Sequence, residues 1–160
     1  MKLWTGMSRY HDEEGTRQAI FGSFDGLTSA LGVIAAAYLT GNAHVLVAAA
    51  CGLAIASAVS MGGGEFLSET SKHSGALQRA EIMAVATFIG SFLPALPFLF
   101  FVKPVALMVA CVLVLVAAVV IAQFRVPTQG VVRAYVQTYG ILVMAAGLSI
   151  GVTLVFNLVG

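Results

Sequence analysis

Charge is what this 160-residue chain has least of. Lys and Arg number 8 and Asp and Glu 7, so only 9% of residues are charged, against 59% hydrophobic and a mean hydropathy of +0.97. A soluble domain carries about 25% charged residues, so this composition cannot supply a water-facing exterior. The net charge of +1 excludes the basic footprint of a nucleic-acid binder. Cysteine is nearly absent: Cys51 and Cys111 lie in apolar stretches and no CxxC occurs, which excludes a disulfide framework or a cysteine zinc site. No apolar h-region precedes residue 18, so no signal peptide is expected. Period-2 alternation is missing too, and runs such as VALMVACVLVLVAAVVIA argue against a membrane barrel.

What is present is apolar stretches of spanning length, about 20 residues each. They predict an all-α polytopic bundle of five spans, at 18–40, 44–66, 81–102, 104–124 and 137–159, with residues 1–17 as a cytosolic segment and 18–160 as one transmembrane domain. Thr40-Gly41-Asn42, Lys103-Pro104 and Pro127 through Gly130 mark boundaries, while Pro94 and Pro97 should kink the third span. Lys2, Arg9, Arg17, Lys72, Arg79, Arg125 and Arg133 fall on one side and Lys103 alone on the other. The bias in Lys and Arg places the N-terminus in the cytosol and the C-terminus outside.

Asp25 is the one formal charge well inside a span, about 10 Å below its cytosolic start. A carboxylate at that depth costs a few kcal/mol and usually lines a pathway. Gly22 and Gly26 form a GxxxG pair around it, with Thr28, Ser29 and Gly32 extending a small, polar face suited to close helix contact. In span 2, Met61, Glu65 and Glu69 follow at i, i+4 and i+8 and share a face, with Met61 near the depth of Asp25 and the two glutamates forming an acidic entrance. Gly62, Gly63 and Gly64 are costly in a helix and point to close packing or a hinge. Ser149, Thr153 and Asn157 repeat the same spacing in span 5, as an outward path or as interhelical hydrogen bonds. Glu81 suits the N-terminus of span 3, and His11 to Glu14 read as a surface segment. A carboxylate with a thioether suits a borderline first-row ion, Fe²⁺ first, with Mn²⁺ or Co²⁺ close.

Residues 20–29, IFGSFDGLTS, resemble the first-helix motif of the vacuolar iron transporter family, and residues 53–68, LAIASAVSMGGGEFLS, resemble its second-helix motif. The resemblance implies a proton-coupled exporter of Fe²⁺, sometimes Mn²⁺, from the cytosol. It implies a homodimer in the bilayer with the ion path near the subunit interface, Asp25 and Met61 as intramembrane ligands, and Glu65 as the motif glutamate. It implies no catalytic residue and no resident cofactor: metal and protons are cargo. Two departures stand out. Residues 67–80 replace the cytosolic metal-binding domain of many members, and Phe24 stands where asparagine is common. Protonation of Asp25 would then compete with the ion. Alternatives are a proton-coupled exporter of organic cations, for which Phe21 and Phe24 would begin an aromatic cage, and a membrane scaffold. The short chain fits a prokaryotic inner membrane, with a eukaryotic organelle left open.

Overall fold

The computed structural model describes the backbone of residues 2–39, 42–68 and 75–159, and the side chains of those residues except 2–13, 39, 43 and 159. Apolar side chains at helical spacing, with every backbone group bonded within its own helix, are the only open-ended solution in lipid, and the described residues contain helices and no strand. The elements are α1 (Lys2–Leu39), α2 (Ala43–Ser68), α3 (Ala76–Phe92), a 3₁₀ turn (Leu93–Ala95), the single turn α4 (Pro97–Phe100), α5 (Lys103–Gln129) and α6 (Val131–Val159). Five segments are long and apolar enough to cross a membrane: Glu14–Tyr38, His44–Ser68, Ala76–Ala95, Lys103–Gln129 and Val131–Leu158.

The five expected spans are therefore present, with shifted bounds. α1 has 38 residues, about 57 Å at 1.5 Å per residue, so the polar N-terminal segment and the first span are one continuous helix. α3 begins five residues before the expected 81, because its polar first turns are already packed: Arg79 and Ala80 are buried. Pro94 and Pro97 do more than kink the third span. Proline removes a backbone donor and clashes with the preceding turn, and the helix tightens to 3₁₀ at Leu93–Ala95 before resuming at Pro97.

The fourth connection is shorter than its breakers suggest. α5 runs through Pro127 to Gln129, and Gly130 alone (φ 79°, ψ 156°) separates it from α6. A proline in the last turn forfeits little, since few bonds follow it. The hairpin is clamped by Arg125, which donates to Thr138 Oγ1 at 3.0 Å, Gln137 Oε1 at 2.9 Å and Gln129 Oε1 at 3.1 Å. At the opposite end Asn42 caps α2, its Oδ1 accepting from the His44 N–H at 3.0 Å. A cap of this kind satisfies one of the orphan donors of a helix start.

Packing centres on α3, which lies against both α1 and α2. A Cβ at Gly22 would sit 2.6 Å from the Met83 carbonyl oxygen; one at Gly26 would run into the Thr87 carbonyl, and one at Gly90 into that of Ser23. A Cβ at Gly62 would lie 2.7 Å from Ala84 Cβ. These are backbone-to-backbone contacts of the kind small residues permit in lipid. Beside them α5 presents Ala106, Ala110, Val114, Ala118 and Ile121 at helical spacing. Its N-terminal half packs with Ile34, Ala37, Leu46 and Phe98, its C-terminal half with Leu27 and Leu142. Beyond Leu142, α6 has no buried residue among those described.

Two stability outcomes follow. Gly26→Ala should cost about 1–3 kcal/mol by forcing α1 off α3, whereas Gly63→Ala, with nothing within 4 Å, should be neutral or mildly stabilising. Thermal unfolding in detergent, followed by helical circular dichroism, separates the pair. Gly130→Ala should also cost about 1–3 kcal/mol, because its φ and ψ lie in a region that only glycine occupies readily.

Candidate functional site

Asp25 lies on α1 and Met61 and Glu65 on α2, two of the three helices that pack on one another. α1 and α2 run antiparallel, so the start of the first span and the end of the second share one end of the bundle. There Gln18, 4% exposed, donates from Nε2 to Glu65 Oε1 at 2.6 Å. That bond joins the two helices. Asp25 follows Gln18 by seven residues, two helical turns, and so lies on the same face of α1, about 10 Å deeper. Met61 precedes Glu65 by one turn on α2, which carries it about 6 Å in the same direction. Asp25, Met61 and Glu65 are all partly buried. Glu65 thus stands at the rim, with Met61 and then Asp25 at successive depths.

Asp25 has a carboxylate without an engaged partner. Among the described residues it meets no hydrogen-bond donor and no cation; only its backbone carbonyl is engaged by a side chain, the Thr28 hydroxyl at 3.0 Å. The same hydroxyl lies 3.1 Å from the Phe24 carbonyl. Phe21, one turn before Asp25, is 57% exposed, so its own chain covers this face of α1 only in part. Phe24 packs instead on the Leu27–Val114–Leu142 cluster.

Glu65 is engaged where Asp25 is not. Arg79, on the first turns of α3, places Nε 3.7 Å from Glu65 Oε1 and Nη1 3.3 Å from Glu14 Oε2. Its side chain is 10% exposed, against 25% for Glu14 and 20% for Glu65. Glu14, Gln18, Glu65 and Arg79 thus form one polar group joining α1, α2 and α3. Gln18 and Arg79 had no signal in the sequence, since a lone Gln and a loop Arg carry no spacing. Glu14 had been read as surface. Pairing across 47 to 65 residues is visible only once the three helices are packed.

The remaining candidates are placed as follows. Gly22, Gly26 and Gly62 meet α3, but Gly63 and Gly64 meet nothing within 4 Å: consecutive residues fan round a helix by about 100° each, so only one of the three can face α3. Ser29 is partly buried on α1. Ser149 lies against Gly32, whose Cβ would sit 3.3 Å from its hydroxyl. Thr153 donates to the Ser149 carbonyl at 2.7 Å and Asn157 to that of Thr153 at 2.9 Å. The last two polar groups are thus satisfied within α6 itself. Glu81 is exposed. Glu69 lies outside the described residues. No group of three or more His, Cys, Asp or Glu able to hold a metal occurs among the described residues, so one chain offers few donors at any level of this row.

Residues 16–76 match the model of the VIT family. No curated protein and no solved structure matches the chain. The matched segment contains Gln18, Asp25, Met61 and Glu65 and ends three residues before Arg79. Such a match suggests metal-ion transport. With five helices long and apolar enough to span, it also suggests an integral membrane protein.

An unpartnered carboxylate in a span is a cost to the fold. Asp25→Asn should therefore leave the melting temperature in detergent unchanged or raised, while Glu65→Gln, which takes a carboxylate from Arg79, should lower it. Parallel melts of the two variants check this.

Proposed function

We propose that the protein exports Fe²⁺, and Mn²⁺ alongside it, from the cytosol in exchange for protons. The observation that carries this reading is the Asp25 carboxylate: inside the first span, without a partner among the described residues, and in line with Met61 and Glu65 within the segment that matches the VIT family model. A carboxylate and a thioether make a borderline donor pair, suited to Fe²⁺ or Mn²⁺ rather than to Mg²⁺ or Cu⁺. Glu65 forms the entrance. Ser29 and the Ser149–Thr153–Asn157 row continue the way outward.

The Lys and Arg bias puts the Glu65 end in the cytosol. There a deprotonated Asp25 takes the ion, with Met61 as second donor. Exposure to the other side and protonation of Asp25 release it, because a neutral carboxyl is a poor ligand. Binding of ion and binding of proton are mutually exclusive at one carboxylate, and this couples the two fluxes.

Two donors do not complete a coordination shell. The partly uncovered α1 face around Phe21 and Asp25 is where a second copy of the chain adds its own Asp25 and Met61, so a homodimer is the working unit.

The test is ion flux into proteoliposomes under an imposed pH gradient. Wild type is expected to move Fe²⁺, and Mn²⁺ more slowly or equally. Asp25→Asn should reduce flux to background, and Met61→Ala should reduce it by about tenfold, as loss of one ligand does to affinity. A folded, inserted wild type that moves neither ion would refute the proposal.

A further inference from the structure

Arg79 occupies an unusual position. A cation in the first turns of a helix opposes the helix dipole, and burying a guanidinium in a membrane bundle is costly unless it is paired. Both penalties are offset here by carboxylates from two other helices, Glu14 on α1 at 3.3 Å and Glu65 on α2 at 3.7 Å. Glu65 also accepts the short bond from Gln18. Arg79 itself is fixed from behind, since α3 and α2 touch where a Cβ at Gly62 would meet the Ala80 carbonyl at 2.9 Å.

The charge count of this group is uneven. Among the described side chains, Glu14, Glu65 and Arg79 together count −1 formally. A divalent cation in place of the guanidinium would bring it to zero. The guanidinium is always charged and sits on a long flexible stem, so it can leave without altering its ionisation. It is a tethered monovalent cation in a place whose charge suits a divalent one.

Resting on the metal-export reading above, we propose that Arg79 is a positioning residue that holds Glu65 when no ion is bound and must be displaced from it before Glu65 can serve as a ligand. Arg79 thereby sets the affinity threshold for entry. It prevents Glu65 from engaging weakly attracted cations, and it keeps α1, α2 and α3 together while the entrance is empty. The entering ion takes over both tasks.

The experiment uses the full-length protein in detergent with Mn²⁺ as the probe, its binding read by electron paramagnetic resonance. Arg79→Gln is expected to tighten Mn²⁺ binding by about tenfold or more, since it removes a competing buried charge, and Arg79→Lys to return it most of the way to wild type. In wild type, Mn²⁺ is expected to speed modification of Arg79 by phenylglyoxal, scored by mass spectrometry, because a displaced guanidinium becomes accessible. The labelling needs no variant, so it decides the matter even if Arg79→Gln fails to fold. If wild type binds Mn²⁺ but the variant binds no tighter and Arg79 stays protected, Arg79 is only a structural tie and the export reading survives. If neither protein binds Mn²⁺, both proposals fall together.

Discussion

The backbones of α1 and α3 approach until the Ser23 carbonyl faces Gly90 and those of Met83 and Thr87 face Gly22 and Gly26. In lipid no hydrophobic force drives one apolar helix onto another. Close contact is therefore the main source of affinity between helices, and it needs residues without side chains at the crossing. α3 makes such contacts with α1 on one side and, through Gly62, with α2 on the other. The register of the three helices follows, and with it the meeting of Gln18, Glu65, Arg79 and Glu14. α5 and α6 complete the bundle through alanine seams and the Arg125 clamp, but they add no charge to this group.

That register produces two carboxylates in contrasting circumstances. Glu65, at the rim, is bonded to a donor and faces a cation. Asp25, two turns deeper than Gln18, has neither among the described residues. A fold optimised for stability alone would not retain the second arrangement, because an unpaired charge in a span costs free energy. The contrast makes functional sense if the inner carboxylate is kept open for a mobile cation and the outer one is guarded by a tethered one. Both roles use one property, the strength of charge interactions away from water.

The architecture was legible in the residues because spanning a bilayer imposes a length and a composition. Five apolar stretches can be counted, and their bounds moved only where polar residues were packed rather than solvated, as at Arg79, or where one glycine sufficed for a turn, as at Gly130. The row of Asp25, Met61 and Glu65 was legible for a similar reason: helical spacing fixes which residues share a face. The glycine triplet was legible only in part, since three adjacent residues cannot all face one neighbour.

Hydropathy and spacing thus settled the number of helices, the solitary intramembrane carboxylate and the stripe on α2, because these depend on one helix at a time. Pairings between helices depend on rotation and register, which no single helix encodes. Tertiary packing alone decided that Gln18 reaches Glu65, that Phe24 turns to the α5–α6 core, and that Arg79 sits between two glutamates. Gln18 and Glu65 are 47 residues apart in the chain and Glu14 and Arg79 are 65 apart, and only the glycine-mediated approach of α3 to its two neighbours brings them within reach.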